Sequence, residues 1–161
     1  MNAPRANAST SNKLFLLFML GLAAVSALAA FSGVITTIVS ALFLTIEDIA
    51  LAELPVPFTH YRIAGAVGIL FGLLGCVGAF GVFKRAKWGL LLGRLTTAIL
   101  WLNGAAFGAH ILVRQPQIDA PSVLRVEMVT MGVLTIVVVT VICGGLAWLS
   151  LKEEVISEFG G

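Results

Sequence analysis

The chain has 161 residues, 59% of them hydrophobic and 11% charged, with a mean hydropathy of +1.05 and a net charge of +2. Soluble domains carry about 25% charged residues, so the composition excludes one and describes an integral membrane protein. The few basic residues lie at the boundaries of apolar runs, which excludes a nucleic-acid partner and makes the lipid bilayer the first partner.

Residues 1–12 are polar and rich in Ala, Asn and Ser, with Pro4 and Arg5. They lack apolar surface with which to order themselves, and a disordered cytoplasmic tail is expected. Residues 14–46 contain no charge. As one helix they would reach about 50 Å, against a hydrocarbon core of about 30 Å. A break is therefore expected at Phe31, Ser32 and Gly33, with residues 14–30 as the first span. Residues 34–54 then form either its protruding continuation or a separate interfacial helix. Thr36, Thr37, Ser40, Glu47 and Asp48 share an arc of about 120°, an amphipathic pattern. Pro55 and Pro57 end this segment. A second reading of the N-terminus stays open: Arg5 and Lys13, the apolar run 14–25, and Ala27, Leu28 and Ala29 match a cleavable signal peptide, which would leave three spans.

The second span, residues 61–83, is built around glycine. Tyr61, Gly65, Gly68, Gly72 and Gly75 fall within about 80° of one another on a helix. In water each glycine costs about 1 kcal/mol relative to alanine. In lipid the backbone has no alternative to helix, and small residues at this spacing let a neighbour approach closely. The basic turn Lys84, Arg85, Ala86 and Lys87, with Trp88 at interfacial height, is short enough to require an antiparallel third span over residues 88–113. That span carries Gly89 with Gly93, and Gly104 with Gly108, at small-xxx-small spacing. Pro116 and Pro121 break the loop 114–122. The fourth span covers residues 123–149, where the β-branched stretch 135–142 would favour a strand in water but is helical in lipid. The acidic tail 152–161 is expected to fray.

The expected fold is all-α: four transmembrane helices in an antiparallel bundle, plus an interfacial or protruding amphipathic helix between the first and second. Residues 13–151 make one domain. Arg5, Lys13, Lys84, Arg85, Lys87 and Lys152 collect on one side, with Arg94 near enough to snorkel towards it; Arg62, Arg114 and Arg125 lie on the other. The positive-inside rule puts both termini in the cytoplasm, and the Ala/Gly/Val-rich composition points to a bacterial inner membrane.

Chemistry is then sought on the outer side. Thr96, Asn103 and His110 recur with Gly89 at intervals of seven on one face of the third helix, with Asn103 near mid-membrane, where a polar group requires a partner. An interhelical hydrogen bond of about 0.6 kcal/mol is the plain account, and a lined cavity the sharper one. His60 and His110 are the chain's two histidines. With Glu47, Asp48 or Glu127 they could hold a metal, or by themselves a haem, but no HxxxH or ExxH spacing supports either. Glu127 is placed in the first turn of the fourth helix, where the dipole stabilises a carboxylate. Arg94 either snorkels to the headgroups or holds an anionic lipid, quinone or partner carboxylate. Cys76 and Cys143 stand alone in apolar runs, so neither a disulfide framework nor a structural zinc site is supported. No hydrolase, zincin, P-loop or dinucleotide motif is present, and no cofactor is required.

The long first hydrophobic segment, the outer amphipathic stretch, His60-Tyr61-Arg62 leading into Gly65 and Gly68, the basic turn before Trp88 and the acidic Glu127 together resemble the small DoxX-like four-helix membrane proteins. Tyr61 stands where those families often have an acidic residue. The resemblance covers residues 14–149 in layout and implies a fold more than a reaction. The leading expectation is a non-catalytic protein packing through the faces of Gly65, Gly68, Gly72, Gly75, Gly89, Gly93, Gly104 and Gly108, either with itself or as an accessory subunit of a membrane complex. The alternatives are an outer haem, metal or quinone site using His60, His110 and Glu127, and a transporter or channel lined by Thr96, Asn103 and His110.

Overall fold

The structure, a computed structural model, describes residues 8–44, 58–114 and 122–159. They form α1 (Ala8–Leu44), α2 (Phe58–Phe83), α3 (Lys87–Arg114), α4 (Ser122–Ser150) and α5 (Glu153–Ser157). No strand occurs among the described residues. The stretches Thr10–Leu42, His60–Phe83, Lys87–Val113 and Arg125–Ser150 are long and apolar enough to cross a membrane. Leu28, Phe31, Leu91 and Val141 point outwards and stay exposed, as helices apolar all round do when their solvent is lipid. Their hydroxyls need no water: Thr37, Thr97, Thr130 and Thr135 each donate to the carbonyl four residues back, at 2.7–2.8 Å.

Helix α1 has 37 residues and runs unbroken through Phe31, Ser32 and Gly33. The break expected there does not form, and the continuation of the first span reaches Leu44; the remainder of the stretch 34–54, with Glu47 and Asp48, lies outside the described residues. Gly33 serves close packing rather than a hinge: a Cβ built on it would lie 2.6 Å from the Gly65 carbonyl oxygen and 2.7 Å from the Ile69 nitrogen. Thr37 and Ser40 turn their hydroxyls onto the helix's own carbonyls at 2.8 and 2.9 Å, so neither demands an interfacial break.

The glycines of α2 and α3 lie where helices meet. Gly68 faces the Ala29 carbonyl, Gly72 the Ala30 nitrogen, and Gly75 the side chains of Ser26 and Thr96. Further along, Gly78 and Gly81 face Gly93 and Gly89 of α3, while Gly104 and Gly108 face Val139, Ile136 and Gly132 of α4. Where a side chain would hold two helices apart, bare Cα atoms let backbone approach backbone.

The turn after α2 is a Schellman-type cap. Arg85 N–H donates to the Val82 carbonyl at 2.8 Å, and Ala86 N–H to that of Gly81 at 2.9 Å. Arg85 itself takes φ 54°, the left-handed conformation that usually selects glycine.

Of the two expected tails, the described residues 8–12 and 152–159 are ordered, while 1–7 and 160–161 lie outside the described residues. The first helix already includes residues 8–12, and Ser11 Oγ lies 3.0 Å from the Glu154 carbonyl and 2.9 Å from Glu158 Oε1. Residues 152–159 of the tail expected to fray form α5 and the turn after it. Val155 and Phe159 are buried, Phe159 packs on Phe15 with ring centroids 5.8 Å apart, and Arg85 pairs with Glu158 at 3.1 Å. Phe159 lies beyond α5, where the turn closed by its N–H on the Ile156 carbonyl at 3.0 Å brings it to the same core as Val155.

That core joins Phe15, Phe18, Leu22, Val82, Leu90, Leu146, Leu149, Val155 and Phe159 at the end of the bundle where α5 lies. Here α1 and α4 meet, with Gly21 against Leu146. Towards the opposite end, a cleft separates them.

Candidate functional site

The site sits at the end carrying His60 and His110. Near the start of α2 and the end of α3, the two imidazoles stack face to face, with centroids 4.5 Å apart and planes 22° apart. One position on from His60, Tyr61 meets Phe107 edge to face at 5.3 Å. Two turns further into the bundle from His110 is Asn103. Its Nδ2 reaches the Ala64 carbonyl at 3.5 Å, the outer limit for a hydrogen bond.

Asn103 lines two adjoining spaces. One, of about 210 Å³, is bounded by His60, Ile63, Ala106 and His110. The other, of about 290 Å³, lies between α1 and α4, with Ser32 and Thr36 on one wall and Val139 and Ile142 on the other. Ala64 and Phe107 border both. An apolar cleft is thus left with a carboxamide in its wall and two imidazoles at one end. Such a cleft suits a small apolar molecule carrying carbonyl or hydroxyl groups.

The other singled-out residues divide. Thr96 lines neither space: it is buried at the α1–α2–α3 junction, where its Oγ1 and the Ser26 Oγ have no hydrogen-bond partner. The row Thr96, Asn103 and His110 therefore does not line one pathway. Glu127 is exposed and borders neither space. Because α4 opens at Ser122, Glu127 stands in the second turn, and the first turn has no acid. Arg94 lies towards the opposite end, with its Nε 3.3 Å from Ser150 Oγ and its Nη2 donating to the Ser150 carbonyl. It completes the last turn of α4, where carbonyls lack helical partners and a cation is favoured.

The described residues do not fit a haem or metal; Glu47 and Asp48 lie outside them. An iron ligated by both histidines needs the ring nitrogens about 4 Å apart, twice a metal–nitrogen bond, with both rings edge-on to it. Rings stacked face to face at 4.5 Å leave no space for a macrocycle. No group of three or more His, Cys, Asp or Glu that could hold a metal ion occurs among the described residues.

Sequence reasoning missed Ser26, Ser11, Ser150 and the α5 anchors Val155 and Phe159. The two anchors had a signal in being apolar side chains in an acidic tail; the serines had none. No protein-family model, curated protein or solved structure matches the chain.

Proposed function

We propose that this is a non-catalytic integral membrane protein, a four-helix antiparallel bundle of DoxX-like layout, that binds a small quinone-like molecule in the cleft at the histidine end. The carrying observation is Asn103. Among the described residues, this carboxamide at membrane depth makes a long hydrogen bond to the Ala64 carbonyl and borders two open spaces. Burying a polar group with its hydrogen bonds unmade is costly, and a ligand carbonyl at Nδ2 would complete it. His60 and His110 add ring nitrogens at the mouth, while the apolar walls accept a ring or a short tail. The gathering of Lys84, Arg85, Lys87 and Lys152 at the far end supports an inner-membrane orientation with that end in the cytoplasm and the cleft facing outwards.

The test is saturable binding of a short-chain benzoquinone to the protein in lipid nanodiscs. Asn103→Leu should abolish it, His110→Ala should weaken it, and Arg94→Gln should leave it unchanged. Wild-type affinity in Asn103→Leu would refute the assignment.

A second reading, assembly with itself or with other membrane subunits, is favoured by one observation. All eight glycines expected at packing faces lie against the chain's own helices, whereas Gly144 and Gly145 of α4 have nothing within 4 Å. A partner helix would use that open face. Gly145→Leu should then reduce the native assembly mass, and an unchanged mass would count against it.

A further inference from the structure

A groove of about 490 Å³, larger than either space of the histidine cleft, lies between α3 and α4 in the half of the molecule that holds α5. Phe18 of α1, Cys143, Gly144 and Leu146 give it an apolar surface. At one end is Trp101, whose indole N–H already donates to Thr140 Oγ1 at 3.1 Å. At the other are Arg94 and Ser150. Arg94 lies seven residues into α3, about 10 Å from its start, and Trp101 is about 10 Å further on.

The guanidinium is the informative group. It carries five N–H donors, and its contacts to Ser150 come from Nε and Nη2. No carboxylate among the described residues forms an ion pair with it. A cation at this depth is expensive unless an anion accompanies it. The carbonyl end of α4 supplies only a partial negative charge. The remaining charge faces an apolar groove.

We infer that the groove holds an acyl chain of an anionic phospholipid from the adjacent leaflet, with the lipid phosphate on Arg94. The planar fork of arginine matches a phosphate through paired hydrogen bonds, and the apolar lining accepts the chain. No carboxylate lines the groove to attract the ammonium group of a zwitterionic headgroup. The groove shares Cys143 of α4 with the histidine cleft, but Arg94 and Gly144 line only the groove and Asn103, His60 and His110 only the cleft, so either assignment can fail alone.

The experiment is native mass spectrometry of the full chain, with equal amounts of phosphatidylglycerol, phosphatidylcholine, diacylglycerol and oleate added in detergent. The expected result is one phosphatidylglycerol retained per chain, with diacylglycerol held about tenfold less well, the factor set by charge-assisted hydrogen bonds. Arg94→Gln should erase that preference and Arg94→Lys should keep part of it. Gly144→Leu, at a position with nothing within 4 Å, should fill the groove and expel the lipid with Arg94 intact. It decides the matter if Arg94→Gln cannot be purified. Inorganic phosphate should not displace the lipid. Equal retention by wild type and Arg94→Gln, or by wild type and Gly144→Leu, would overturn the proposal. So would preference for oleate, diacylglycerol retained as well as phosphatidylglycerol, displacement by free phosphate, or a second copy of the chain bound in place of lipid.

Discussion

Adding one methyl group at Gly72 should separate α1 from α2. A Cβ there would lie 2.5 Å from the Ala30 nitrogen, 2.7 Å from the Ser26 carbonyl oxygen and 2.8 Å from the Ala30 Cα, against ordinary contact from 3.4 Å. These are backbone atoms of a continuous helix, so no rotamer change can relieve the clash. The helices must move apart by several tenths of an ångström or more, and such a gap forfeits about a quarter to a half of each dispersion well, itself about 0.1–0.2 kcal/mol per atom pair. Over the tens of pairs along this seam the loss is about 1–3 kcal/mol, the usual range for overpacking, partly offset by alanine's helix propensity of up to about 1 kcal/mol. Gly72→Ala should therefore be destabilised by about 1–2 kcal/mol. Gly144→Ala, where nothing lies within 4 Å, should be neutral or gain up to about 1 kcal/mol. Reversible unfolding in mixed micelles of increasing SDS fraction, followed by tryptophan fluorescence, compares the two directly. Gly72→Ala as stable as Gly144→Ala would refute the close approach of α1 and α2 at this point.

Three further outcomes follow from the same packing. Ser26→Ala should be neutral or raise stability by about 1 kcal/mol, because it removes a buried hydroxyl with no partner; a marked loss in the same unfolding assay would reveal a hydrogen bond at Ser26. Phe159→Ala should lose about 3 kcal/mol, since the ring is 4% exposed and packs on Phe15, and proteolysis should then remove α5; a fully protected C-terminus would contradict its docking. Arg85→Gly should exceed Arg85→Ala in stability by about 1 kcal/mol, because both lose the Glu158 pair while only glycine relieves the left-handed φ; equal midpoints would contradict the turn geometry.

Four spans were legible because lipid imposes helix on any long apolar run, and because Lys84 and Lys87 punctuate the chain where it must turn. The course of α1 was not legible. Gly33 reads as a possible break in isolation, and only the presence of Gly65 and Ile69 opposite makes it a contact point. Heptad spacing put Thr96, Asn103 and His110 on one helical face, but spacing on α3 carries no information about how far α1 stands from it. Close to Thr96, Ser26 closes the junction; near Asn103 the cleft remains. The facing of His60 and His110 required the register between α2 and α3, which the turn at Arg85 sets and a hydropathy pattern does not. Arg94 was readable as a cation near a membrane boundary, whereas its contact with Ser150 depends on where α4 ends.

The Ser11 and Phe15 contacts with α5 also bear on how the protein is made. Because α5 follows α4 in the chain, its docking surface on α1 must wait, already in the membrane, until all four helices have left the ribosome. During that interval Phe15, Phe18 and Leu22 lack part of the cover that Val155 and Phe159 later supply. Insertion and closure are thus separate events, the second dependent on a segment of a few residues. A bulky C-terminal fusion would act on that closing step while leaving the spans inserted.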